Sequence, residues 1–286
     1  MNKDTVLLLG AVAYDPKVVT IWEGFEAYFA RQGLRMNYVL YSNYERQVEA
    51  LLDGDIHVAW NSPLAWIRAQ RLAKARGLEA RAIAMRDSDC DLTSVIVVRE
   101  ASPIKTVADL KGQTVAVGAV DSPQATLLPL AHLHALKLDT ADIAVHYHNV
   151  FVGKHGDHIG GERDAAQALI AGTADAACLL EYNYHQFLMD GTLPSGTTRM
   201  LTRTALFDHC NFTVLPSAPT ELIARFEALL IDMSYDDPDV RPLCDLEGLK
   251  AWYPGRVQGY EALEVAVDLA GFYDQQGTIT SKDYPF

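Results

Sequence analysis

Long apolar runs are missing from this chain. Its 286 residues hold no stretch near the roughly 18 consecutive apolar residues that a membrane-spanning helix needs, so it does not read as a membrane-inserted protein. Cysteine is scarce. Cys90, Cys178, Cys210 and Cys244 lie far apart without a Cys-x-x-Cys pair, which argues against a disulfide framework and against a structural zinc site of usual spacing. Positive charge is in deficit as well. A net charge of −13 disfavours nucleic acid and anionic membrane surfaces as partners. No nucleophile-elbow serine, nucleotide-binding glycine loop or His-Glu-x-x-His helix occurs. The first apolar run, Val6–Leu9, is too short for the core of a signal peptide. As written, the chain is therefore expected in the cytoplasm, and in the periplasm if a leader has been removed.

What remains is an ordinary globular composition, 49% hydrophobic and 21% charged, with a strongly alternating pattern. Val6–Leu9 reads as a parallel strand buried on both faces. Val18, Trp22, Phe25 and Phe29 then recur at helical spacing until Gly33, and Met36, Tyr38 and Leu40 alternate as a strand. Asn43 caps a helix over Tyr44–Asp53 that Gly54 ends. Ile56–Trp60 is the next strand, and Ser62-Pro63 opens a third helix. This βαβαβα order predicts a parallel sheet, and a second unit of the same kind begins at Thr114. The connecting strands are expected at Thr93–Arg99 and Asn211–Leu215, a two-strand hinge. That divides the chain into a first lobe, 1–96 with 210–286, and a second, 97–209. Helices at Pro219–Met233 and Tyr260–Tyr273 are expected to pack back on the first lobe. Between the lobes, a short helix opening at Thr106 offers backbone N–H groups to an anion.

Three segments carry a resemblance. The stretch 44–66, YERQVEALLDGDIHVAWNSPLAW, resembles the helix, glycine, strand and Gly-Pro-x-Ser-Tyr element of the phosphate/phosphonate-type periplasmic binding proteins. Ser94 to Leu110, SVIVVREASPIKTVADL, is similar to the crossover into that family's second lobe. Residues 172–178, GTADAAC, resemble a later strand entry. The resemblance implies an α/β, two-lobed type 2 periplasmic-binding-protein fold that closes on a small molecule. It also implies a partner, either an ABC transporter permease or another protein. In the family a Ser-Thr-Ser-Gly cluster opens a second-lobe helix and holds phosphoryl oxygens, and this chain has Ser122, Pro123, Gln124 and Ala125 there. Two donors are lost, at about 1.5–3 kcal/mol each for charge-assisted bonds, so phosphate should bind less well than in those relatives.

The candidate cleft residues are Tyr14, Asn61, Ser62, Thr93, Ser122, Gln124, His155 and Glu181. Tyr14, Asn61 and Ser62 follow strand ends, where open α/β sheets bind ligands. Ser62 reads equally well as a plain N-cap. Glu181, at another strand end, suits a ligand carrying an amino group or pairs with Arg163 or Lys154. The loop 146–164, HYHNVFVGKHGDHIGGERD, has the residue types of an anion lid (Lys154, His155, His158), of a transition-metal site (His155, Asp157, His158) or of a solvated surface loop. His146 and His148 share a strand face and read as a covered, hydrogen-bonded pair. At the hinge, Cys90 and His209-Cys210 are brought near each other by the two connections, as a metal or thiolate cluster or as inert packing. No cofactor is expected, and bound metal is left open. Two functional readings follow: a solute-binding protein for a small polar anion, phosphonate-like or another organic acid, or a cytoplasmic enzyme or metal-dependent protein on the same fold. The second takes support from the missing leader and from the cytoplasmic enzymes that share the fold. The cysteine-rich iron motif of one of them, the thiamine pyrimidine-precursor synthase, is absent.

Overall fold

A computed structural model describes residues 6–151, 155 and 159–284, the side chains of 159 and 160 excepted. Two sheets form. The first has six strands, and its middle is the buried pair β1 (Leu7–Val12) and β3 (Val58–Asn61), with β2 (Met36–Tyr41) at one edge. Helices α1 (Lys17–Arg31), α2 (Tyr44–Asp53) and α3 (Pro63–Ala75) supply the crossovers. They form where the sequence pattern requires. Asn43 accepts the Arg46 N–H at the start of α2, and Gly54 closes it in the left-handed conformation at φ 76°.

The sheet is mixed, not parallel as expected. β10 (Asn211–Val214) returns from the second lobe and inserts antiparallel between β3 and β4 (Arg81–Arg86), and β11 (Trp252–Pro254) closes the edge. A chain that re-enters a sheet from its far end must run against the strands that left it. The second sheet has the order β7 (Ala144–Tyr147), β6 (Thr114–Val117), β8 (Ala176–Leu180), β5 (Ser94–Arg99), β9 (Thr198–Arg203), with β5 antiparallel to both neighbours. Its helices are α4 (Leu128–Ala135), α5 (Ile159–Ala171) and α6 (Glu181–Met189).

Neither expected connecting strand crosses between lobes. Ser94–Arg99 pairs along its length within the second sheet, and Asn211–Val214 lies within the first. The sheet therefore changes at 87–93 and again at 204–210, where one antiparallel bridge, Leu92 to Phe207, joins the two passages. Asp91 takes a left-handed φ of 56° in the first passage. Its N–H donates to buried Asp208 at 3.0 Å, and Arg256 clamps both Asp208 oxygens at 2.7 and 2.6 Å and reaches Asp91 at 2.7 Å.

The C-terminal part is divided. Helix α7 (Thr220–Ile231) packs on the first sheet beside α8 (Arg241–Glu247), in a core of Trp22, Phe25, Phe29, Phe212 and Phe226. Helix α9 (Glu261–Ala270) packs on the first lobe, where Arg71 of α3 binds its Asp268 at 2.8 Å, but is not confined to it. It lies on α4 of the second, and one apolar cluster runs from Trp66 through Tyr260, Leu263 and Phe272 to Leu127 and Leu128. Beyond α9 the tail is tied to α3, since Arg68 donates to the Gly277 carbonyl and Arg71 to those of Tyr273 and Asp274. None of the described helices is long and apolar enough to cross a membrane.

A Cβ on Gly259 would sit 2.1 Å from the Asp208 Cγ. Gly259→Ala must displace a buried carboxylate that braces the hinge, at an expected loss of about 1–3 kcal/mol. Urea unfolding of both proteins reads this as a lowered midpoint, and an unchanged midpoint would show that the hinge brace yields without cost.

Candidate functional site

The starts of α2 and α3 in the first lobe and the turn after β6 in the second converge on one side chain, His155. Ser62 is the N-cap of α3 and accepts the Ala65 N–H at 3.2 Å, with Pro63 in the first turn where no N–H is needed. Its hydroxyl lies 2.8 Å from the His155 Nδ1. Glu45, in the first turn of α2, has its Oε1 2.9 Å from Nε2 of the same ring. From the second lobe, Asp121 accepts the His155 backbone N–H at 2.7 Å. The Tyr44 ring stacks on the imidazole at 4.9 Å and 11°, Tyr284 flanks it at 5.9 Å, and the Tyr273 hydroxyl is 3.4 Å from Nε2. All three polar partners and the histidine are essentially inaccessible to solvent. His155 holds a left-handed φ of 46°, a conformation that surrounding contacts must maintain in a non-glycine residue.

Electrostatics orders the proton positions. Burial pushes the Glu45 carboxyl up, but the His155 ring beside it and hydrogen bonds from His155 and Tyr284 bring it down to about 2. As a carboxylate Glu45 only accepts, so Nε2 carries the proton it receives. Nδ1 lies against the Ser62 hydroxyl, whose oxygen also takes the Ala65 N–H. Burial first, and then Glu45, drives the Tyr273 hydroxyl well above its ordinary value, so it stays a donor.

The second-lobe side of the gap is a separate polar layer. Ser122 caps the π-turn Pro123–Leu127 by accepting the Ala125 N–H. Gln124 donates to buried Glu162 at 3.3 Å, and Glu162 also accepts from the Leu180 N–H and Asn183. A Cβ on Gly161 would meet the His148 carbonyl at 2.7 Å, so only glycine lets α5 approach this turn.

Of the sequence candidates, His155 and Ser62 are in direct contact, and Ser122 and Gln124 follow Asp121 on the turn that faces them. Asn61 is buried behind Ser62, accepting from Gln47 and donating to Thr213 in an intrasheet network. Thr93 and Glu181 form their own pair at 2.5 Å, closed by Arg203 at 2.5 Å, not by Arg163. Burial works against ionising Glu181, but the Thr93 hydroxyl and Arg203 outweigh it and lower its pKa. Arg163 pairs instead with Asp190 at 2.9 Å. Tyr14 is half-buried against the first core, under Lys17. The Thr106 turn is one exposed 3₁₀ turn, and Asp109 accepts the Lys105 and Thr106 N–H groups there, which puts a carboxylate where the anion was expected. His146 is exposed, 4.8 Å ring to ring from His148, so that pair is not covered as expected. Lys154, Asp157 and His158 lie outside the described residues. Sequence reasoning missed Tyr44, Glu45, Asp121, Tyr273 and Tyr284. Asp121, next to the Ser122-Pro123 start, had a local signal; the others are more than 100 residues away in the chain from His155.

Cys90 does not join a thiolate cluster. Its Sγ donates to the Arg86 carbonyl at 3.4 Å, and burial, then nearby carboxylates against Arg256, pushes the thiol up to about 11. Cys178 is fully buried and pushed higher still. A groove of about 570 Å³ lies apart from the His155 contact, between α4 and the C-terminal tail, beside His134, Tyr147, Phe272 and Asp283.

Over residues 11–264 the chain matches the family described as ABC transporter, phosphonate, periplasmic substrate-binding protein. It belongs to that family. The phosphonate-type fold is shared with solved relatives. PhnD1 of Prochlorococcus marinus, in complex with methylphosphonate, superposes with a TM-score of 0.67 at 15% identity, covering 94% of this chain and 99% of that one. A Xanthomonas citri protein bound to ATP gives 0.70 at 17%, over 93% and 98%. The aliphatic sulphonate binding protein SsuA of Escherichia coli gives 0.59 at 20%, over 97% and 94%. At these identities the likeness is one of fold.

Glu45 has a folded pKa below its ordinary 4.5, so its contribution is complete above about pH 4.5 and is lost as pH falls toward about 2. The shift corresponds to on the order of 3 kcal/mol. Thermal melts across that window should show the wild type losing more stability than Glu45→Gln, and parallel curves would remove the His155–Glu45 contact from the account.

Proposed function

We propose that this chain binds a small organic acid of the phosphonate or sulfonate class that also carries an N–H donor, and that it does so at the position His155 occupies. The observation carrying the reading is a pair of buried carboxylates, Glu45 from one lobe and Asp121 from the other, each accepting an N–H of His155. A bare dianion placed there meets two negative charges, whereas an amino or amide nitrogen meets two acceptors. The acid group is taken by Ser62, Ser122 and the N–H groups at their helix starts, where the dipole favours negative charge. Pro123 and Gln124 fit this division, since they remove the extra donors that a simple phosphoryl group needs.

Tyr44, Tyr273 and Tyr284 wall the nitrogen end. The Gln124–Glu162–Asn183 layer holds the second-lobe turn in shape, and Thr93, Glu181 and Arg203 act at the rim. Asn61 and Tyr14 act from behind, through the first sheet. We read the location as periplasmic, beside the membrane components of an ABC transporter, as the family description has it.

Calorimetry tests this with methylphosphonate, 2-aminoethylphosphonate, an alkanesulfonate, taurine and phosphate. The aminated acids should bind more tightly than their plain counterparts, and Glu45→Gln should erase the difference. His155→Ala removes an occupant held by two side-chain hydrogen bonds, so affinity for the aminated ligand should rise about tenfold. Tighter binding of the plain acids, or a loss of affinity in His155→Ala, overturns the reading.

A further inference from the structure

Away from the gap, the two passages between the lobes bring Asp89, His209 and Cys210 together. One donor atom from each lies within 4.8 Å of the other two. His209 Nδ1 is 3.1 Å from the Cys210 Sγ and 3.6 Å from the Asp89 Oδ1. Both neighbours address the same ring nitrogen. A proton relay of the thiol–imidazole–carboxylate kind uses the two different nitrogens of the ring, so this trio cannot serve as a nucleophile and its base. Three donor atoms of these types gathered this closely are what a bound cation requires. Zinc bonds of about 2.0–2.3 Å to nitrogen, oxygen and sulfur place neighbouring donors of a tetrahedral site roughly 3.3–3.6 Å apart. The two spacings from His209, 3.1 and 3.6 Å, lie near that range, and the third is within 4.8 Å.

The geometry points to a binding site for a borderline divalent cation of the zinc class at the hinge, with Asp89, His209 and Cys210 as ligands and a fourth position for water. Thiolate and imidazole donors favour such ions over magnesium or calcium. The local charge agrees. Asp89 and Glu247 flank a single guanidinium, Arg86, which binds both Asp89 oxygens at 2.6 and 2.9 Å and the Glu247 carboxylate at 3.1 Å. With Cys210 deprotonated, the four groups sum to two negative charges, which a divalent ion neutralises. Arg86 lies 5.1 Å over the Trp60 ring and fixes the Asp89 carboxylate, the role outer-shell partners play in metal sites. His209 retains 12% exposure while Asp89 is at 2%, giving the ion a way in past the imidazole. Asp89 stands on the outgoing passage and His209-Cys210 on the returning one, so the ion ties the two together. Nothing in this site depends on which solute the gap takes.

The test uses the full chain, reduced, stripped with a chelator and titrated with cobalt(II) and then zinc. One ion per chain is expected, with a thiolate-to-cobalt charge-transfer band in the near ultraviolet that zinc abolishes. Cys210→Ser should lose the band, and both Cys210→Ser and His209→Gln should weaken zinc by at least about tenfold. Cys90→Ser should match the wild type. If circular dichroism shows Cys210→Ser unfolded, the less deeply buried ligand variant His209→Gln carries the test alone. No stoichiometric binding, a band that survives Cys210→Ser, or isotherms unchanged in both ligand variants overturns the site.

Discussion

Two buried carboxylates, one from each side of the lobe junction, set the terms for the rest of this molecule. Glu45 and Asp121 are both withdrawn from water, and a buried anion is tolerated only where donors replace its lost hydration. His155 provides them, with its ring N–H toward one lobe and its backbone N–H toward the other. The closed arrangement therefore depends on something with N–H groups being in the gap. In a family whose members bind solutes for ABC transporters, that requirement is the ground on which we propose a nitrogen-bearing ligand.

Around this junction the fold divides its work. The first lobe contributes the starts of α2 and α3, which are set in one apolar cluster through Tyr44, Val48, Leu64 and Trp66. The second lobe contributes a capped turn backed by the Gln124–Glu162–Asn183 layer. The two passages at 87–93 and 204–210 share one bridge and the Arg256 clamp, so little backbone pairing has to change if the lobes rotate. Helix α9 and the tail add a third link, with Tyr273 and Tyr284 from the far end of the chain packed against His155. The junction thus combines hydrogen bonds and ring contacts with the apolar cluster that runs from Trp66 to Leu127 and Leu128.

Much of this was legible before any coordinates. The caps at Asn43, Ser62 and Ser122, the glycine stop at Gly54 and the buried strands follow from local rules, and the structure places them as read. The mixed sheets, the position of the crossings and the bridging by α9 were not legible. Strand direction within a sheet depends on where the chain re-enters, and Ser94–Arg99 carries the same apolar run whether it crosses between lobes or sits inside the second sheet. Glu45 looked like an ordinary first-turn acid, a residue type common at helix starts for dipole reasons alone. Glu181, by contrast, looked like a ligand group and is satisfied by Thr93 and Arg203 from its own lobe.

By itself the sequence determined the two-unit α/β pattern, the helix starts and the family to which they belong, because those are written in residues close together along the chain. The tertiary structure decided which side chains meet at the gap and at the hinge. Tyr44, Glu45, Asp121, His155 and Tyr284 come from four separate segments, and burial at their meeting point is a property of lobe packing. Desolvation and hydrogen bonding act through space, and they turn a cap, a first-turn acid and a loop histidine into one site.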